Sequence, residues 1–183
     1  GLSFIAPFVF GFIRMFKEDE GGRNIYLLEE RIKIASRMEE AKALEEEADG
    51  YVDAEEWTSA FKAYVLALRS AVKSENKRWY RDLEIKLYLS QAKLLHDAYF
   101  DMNSQARIEN ISFLYAVVES LTKVINRRPG DTVKLTTLRR LRDTYRRIYQ
   151  DVKDKKAVQE AARNAVKFGA QVLLLNPVSK GED

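Results

Sequence analysis

Trp57-Thr58-Ser59-Ala60-Phe61-Lys62-Ala63-Tyr64-Val65-Leu66-Ala67-Leu68 is the stretch on which the fold turns. Trp57, Ala60, Tyr64 and Ala67 follow one another at steps of three and four, so a helix puts them on one face, with Leu68 beside them. Alanine at a helix crossing lets two backbones approach closely. Rings one turn away fill the wedge that the crossing leaves. Such a face is shaped to nest against a neighbouring helix.

Outward from this stretch the chain reads as helix after helix. Only Pro7, Pro129, Pro177 and eight glycines interrupt 183 residues, and strand-type alternation is scarce. Ile25, Leu28, Ile32, Ala35, Met38 and Ala41 form a first apolar stripe, which Gly50 is expected to end. Asp53 reads as the N-cap of the second helix, with Glu56 completing a capping box, and that helix is expected to run to about Glu75. After a break at Asn76, a third helix reaches about Asn103. A fourth runs from Ser104 to the Pro129-Gly130 break, a fifth covers Thr132 to Asp151, and a sixth covers Lys155 to Asn176. Short connections make successive helices antiparallel neighbours.

The spacing W-x2-A-x3-Y-x2-A-L resembles the second helix of a tetratricopeptide repeat. Leu114, Val117, Leu121, Val124 and Ile125 echo it more weakly, before Pro129-Gly130-Asp131 where such repeats turn. Leu135 and Leu138 then stand where the next leading helix carries its apolar pair. The resemblance implies an all-α superhelix of about three stacked helix pairs over Asn24–Pro177. Its groove, lined mainly by the first helix of each pair, would grip a peptide or a neighbouring subunit. Two departures are plain. Ala60 and Val117 are 57 residues apart, against a standard repeat of about 34. The usual glycine-containing turn before the aromatic is replaced by Glu55-Glu56.

A second signal stands at the other end of the hydropathy range. Residues 1–16, GLSFIAPFVFGFIRMF, hold five phenylalanines, and the body that follows is heavily charged. Leu2 to Phe16 as a helix spans roughly 22 Å, short of a bilayer core of about 30 Å. The segment therefore reads as the end of a longer spanning helix, as an interfacial helix, or as a plug for an apolar groove in a partner. A signal-peptide core needs preceding basic residues, and none stand there. Phe4, Phe8 and Phe12 are the expected anchor, with Arg14 and Lys17 reaching toward headgroups. The positive-inside tendency then puts the body on the cytoplasmic side of a membrane. The organisation expected is an anchor over 1–20, a helical-repeat body over 21–177 and a tail over 178–183.

No cysteine is present, which excludes disulfides, thiol nucleophiles and thiolate-bound metals. The only histidine, His96, has Tyr99 and Phe100 where further ligands would be needed. No phosphate-loop, nucleophile-elbow or zincin motif occurs. The acid-rich run from Glu45 to Glu56 lacks the ligand spacing of a calcium loop and reads as a solvated face. The expectation is a protein that is not an enzyme, with no cofactor and no small-molecule substrate.

Charge points to partners instead. Residues 1–75 carry 10 basic and 15 acidic side chains, and residues 76–183 carry 21 basic and 13 acidic ones. Eight of the later cations fall between Arg127 and Arg147. Arg139, Arg142 and Arg146 share one face of the fifth helix and are the expected partner contacts, since forked guanidinium groups suit carboxylates and phosphates. The reading is a scaffold subunit of a membrane-associated assembly, binding other protein subunits or peptides. Its alternative is a nucleic-acid-binding module that uses the same arginines. Trp57, Ala60, Tyr64, Ala67 and Leu68 are assigned to packing, so Trp57→Ala is expected to cost about 3–5 kcal/mol.

Overall fold

The computed structural model describes residues 21–176 and is all-α, with no strand among them. Seven α-helices follow in order: α1 (Gly21–Asp53), α2 (Trp57–Ser70), α3 (Lys77–Phe100), α4 (Ser104–Glu109), α5 (Ser112–Asn126), α6 (Asp131–Asp151) and α7 (Lys155–Leu175). A single 3-10 turn at Lys73–Glu75 joins α2 to α3. Among the described residues no helix is long and apolar enough to cross a membrane. The anchor residues Phe4, Phe8, Phe12, Arg14 and Lys17 lie outside the described residues.

Several boundaries differ from the sequence reading, and each has a local cause. Gly50 does not stop α1, because Ala48, Tyr51 and Val52 around it all pack on the core. That burial outweighs the roughly 1 kcal/mol that an interior glycine costs. Asp53 is the last residue of α1 rather than an N-cap. The Glu56 N–H donates to the Tyr51 carbonyl at 2.9 Å and the Glu55 N–H to that of Val52 at 3.0 Å. Glu55 between them takes φ 58°. This is a Schellman closure with a glutamate in the left-handed position that favours glycine. The departure from the repeat pattern at Glu55 is thus a strained residue doing a glycine's task.

The second helix stops at Ser70, short of Glu75, because Ala71 turns extended. Arg37 of α1 donates to the Ser70 and Arg69 carbonyls, both at 3.2 Å, satisfying groups that a longer helix would have used. Asn76 caps α3 by accepting from the Trp79 N–H at 3.0 Å. The fourth predicted helix is two. Asn103 caps α4, and α4 ends at Asn110, whose side-chain amide donates back to the Ala106 carbonyl at 2.8 Å. Asp154 caps α7.

Each helix packs on its neighbours in the chain: α1 on α2, α2 on α3, α3 on α5, α5 on α6 and α6 on α7. The core is accordingly a row of clusters rather than one centre. The first joins Ala41 and Ala48 of α1 to Ala60, Ala63, Tyr64 and Ala67 of α2 and Leu83 of α3. The second joins Ala92, Val117, Leu121, Leu138, Leu141 and Val172, and the third joins Tyr99, Leu114, Ile148 and Ala161. Ala60 and Ala67 are wholly buried, Tyr64 nearly so, and Leu68 packs against the same cluster. Trp57 differs: it opens α2, has no helix turn above it and is only half-buried. Its truncation is therefore expected to cost about 1–2 kcal/mol rather than the full burial value. Ile25, read as part of the first stripe, is 59% exposed, because α1 runs on past the end of α2.

Two substitutions test this account by urea unfolding. Ala67→Leu overfills the α1–α2 contact and should destabilise by about 1–3 kcal/mol, whereas Leu66→Ala next to it, on the exposed face, should change stability by less than about 0.5 kcal/mol. Glu55→Gly releases the left-handed strain and should raise stability by about 0.5–1 kcal/mol.

A candidate partner groove

Helices α1, α3 and α6, with the start of α2, face one another across a cleft of about 610 Å³. Val52, Trp57, Leu89 and Val133 give it apolar walls, and Thr136 and Thr137 line its α6 side. A second cleft of about 320 Å³ lies between α3, α5 and α6 and includes His96, Phe100 and Arg147. Lys93 and Arg140 line both. They stand where the two clefts meet.

Of the other charged groups in the larger cleft, Asp49 and Lys86 pair with each other, and Asp53 stands at its edge with no ion pair among the described residues. Asp49 of α1 accepts from the buried Tyr64 hydroxyl and from Lys86 Nζ of α3, at 3.0 Å to each of its oxygens. Glu45 takes the Trp79 indole N–H at 3.0 Å and lies 3.4 Å from Lys86. Although burial opposes it, hydrogen bonds and charge from Asp49 and Glu45 raise the Lys86 pKa. The acid-rich run is thus partly a structural bridge from α1 to α3, not only a solvated face. A like assembly stands at the second cleft. The Tyr99 hydroxyl of α3 donates to Asp151 of α6, which also accepts from Arg147 Nε at 2.7 Å.

Arg140 and Lys93 have no such partner. Among the described residues the Arg140 guanidinium makes no ion pair; burial lowers its pKa, and Asp97 opposes that only through its charge. Lys93 Nζ lies 5.8 Å from the centre of the Trp57 ring and makes no ion pair among the described residues. Cations that are partly desolvated and not paired are placed at a cost, and an incoming anion would offset it.

The expected contact set is rearranged. Arg142 is buried against α7: its Nε donates to Asp143 at 3.0 Å, and its stem passes 3.6 Å from where a Cβ on Gly169 would stand. It does not face a partner, because the α6–α7 contact covers that side of α6. Arg146 is exposed and shares Asp143 at 3.6 Å. Arg139 is half-buried and lines neither cleft. The groove-facing arginine is Arg140, one residue on. A sequence signal for it existed in Thr137, Arg140, Thr144 and Arg147, a polar line at steps of three and four. The His96 ring lies tilted against Phe100, 4.5 Å between centres, and no metal-binding group of three or more ligands occurs among the described residues.

The tyrosine assemblies carry a pH signature. Burial first, then the bond to Asp151, pushes the Tyr99 pKa up to about 12, and Tyr64 moves the same way. An unfolded phenol ionises near about 10, so the unfolded chain loses the proton first. The stabilising contribution is whole below about pH 10 and falls as pH rises from about 10 to 12. Tyr99→Phe should lower the urea midpoint at about pH 8 and flatten the alkaline fall relative to the unaltered chain. Compared with known proteins, the chain matches no family model, no curated protein and no solved structure.

Proposed function

We propose that this protein is a non-enzymatic scaffold subunit whose helix pairs stack in a tetratricopeptide-like manner and whose α1–α3–α6 groove holds a segment of a partner protein. One observation carries the reading: Lys93 and Arg140 stand unpaired at the junction of two clefts, beside apolar walls. The segment that fits places an apolar side chain against Val52, Trp57 and Leu89 and an acidic group on Lys93 and Arg140. Asp53 at the groove edge disfavours a second acid nearby. This is helical recognition in which a pocket supplies affinity and a charge supplies register.

In the same reading the apolar leader, with Phe4, Phe8 and Phe12, holds the subunit at a membrane or in a larger assembly, with the body on the cytoplasmic side. The nucleic-acid alternative loses support, since Arg127, Arg142, Arg146 and Arg147 are engaged by Glu84, Asp143 and Asp151.

The test is selection from a displayed peptide library, followed by titration of the enriched peptides. The reading expects an acidic residue close to an apolar one in the enriched set. Arg140→Gln and Lys93→Gln should each weaken binding by about tenfold or more, the worth of a hydrogen bond to a charged group. Arg140→Leu should abolish binding while leaving stability unchanged or up to ~1 kcal/mol higher, because a partly desolvated charge is removed. Enrichment without acidic residues, or affinity that survives the double Gln variant, would refute the groove.

A further inference from the structure

A second cationic site lies at one end of the bundle. The Lys73–Glu75 turn, the first turns of α3 and the α5–α6 corner enclose a cavity of about 610 Å³. Lys73, Lys77, Arg78, Arg81, Arg127 and Arg128 line it, and Glu84 is its one carboxylate. Glu84 is occupied: Arg127 donates to it from Nε at 3.1 Å and Nη2 at 2.8 Å, and its Nη1 donates to the Lys123 carbonyl at 3.0 Å. Five cations are left facing no acid of their own in the cavity.

Three features show that most of this charge lacks a close internal counterion. The Arg81 Nε is shut off from solvent and donates no hydrogen bond among the described residues, and its ion pair to Asp82 is long, at 3.9 Å. Lys77, Arg78 and Arg128 make no side-chain ion pair among the described residues. Lys77 and Arg78 also occupy the first turn of α3, where no acid stands. The helix dipole there favours anions and disfavours these cations. An arriving anion would relieve both repulsions at once.

The position of the cavity narrows the partner. Arg31 of α1 pairs with Glu75 of the adjoining turn at 3.2 Å, so α1 passes this end of the bundle. From there α1 continues back through ten further residues, roughly 15 Å, exposing Ile25, Tyr26 and Leu27. The apolar leader joins α1 at that end. A polynucleotide would need a basic track leading away from the cavity, and Arg142, Arg146 and Arg147 of α6 are held by Asp143 and Asp151. We infer that this cavity binds the clustered phosphate groups of anionic lipid headgroups, fixing the body against the membrane that the leader enters. The inference rests on the leader lying at a bilayer, and is independent of the groove.

The test uses the full chain, with Arg78→Glu/Arg128→Glu as the variant, since both residues are exposed and an unchanged melting curve confirms folding. Binding is measured to phosphatidylcholine vesicles, and to the same vesicles carrying a phosphoinositide with several phosphates. The leader should hold both proteins equally on phosphatidylcholine. The phosphoinositide should add affinity to the unaltered chain alone, and the variant should lose at least about 25-fold, at about fivefold for each of the two cations removed near a charged surface. Failure on phosphatidylcholine with a variant-sensitive phosphoinositide increment sinks the leader reading and keeps the cavity. An increment that the variant retains overturns the cavity. Binding of soluble inositol phosphate or of an RNA hairpin, with no increment on vesicles, overturns the lipid assignment in favour of that ligand.

Discussion

Alanine at Ala41, Ala48, Ala60, Ala63 and Ala67 brings α1 and α2 together with little side-chain thickness between them, and the rest of the arrangement follows from that approach. Helices this close bury few apolar atoms per contact, so dispersion from dense packing must do what bulk does elsewhere. Tyr64 fills the wedge, and its hydroxyl then needs a partner in a dry place. Asp49 provides it, and Lys86 balances Asp49 from the next helix. One small-residue contact thereby recruits a ring, an acid and a base, linking three successive helices. Tyr99, Asp151 and Arg147 repeat the arrangement further along the chain.

A row of local clusters has a functional consequence. Among the described residues the core is divided into clusters, and α1, α3 and α6 leave one side toward a shared cleft. Some side chains there, Tyr64 and Thr137 among them, are packed in the core, and others, Lys93 and Arg140, are not. The charges that hold helices together are matched acid to base, whereas Lys93 and Arg140 are left over. Paired and unpaired cations of similar chemistry thus stand on the same helices. Removing Lys86 or Arg147 would disturb the frame, while Arg140 makes no ion pair among the described residues whose loss could disturb it. The same division appears at the basic end, where Arg127 is structural and Arg78 and Arg128 are not.

The helical class was legible because apolar residues recur at three and four and breakers are scarce. Most helix starts were within a few residues. The errors fell where a local rule was outweighed by a tertiary contact. Gly50 stays helical because its neighbours pack on α2. Asp53 looked like a cap by its spacing to Glu56, yet the chain closes α1 through the carbonyls of Tyr51 and Val52. The early end of α2 depends on Arg37, which is more than thirty residues away in sequence and invisible to any local pattern.

The sequence alone therefore determined that this is a chain of helices, that small residues and rings bring them into contact, and that a strongly apolar leader precedes a charged body. Which arginine faces the cleft was decided only by tertiary structure. Successive residues on a helix point about 100° apart, so Arg140 faces away from the side that Arg139 and Arg142 share, and nothing local says which side a neighbour will cover. The packing of α7 closes over Arg142, and the placement of α3 opens a cleft at Arg140.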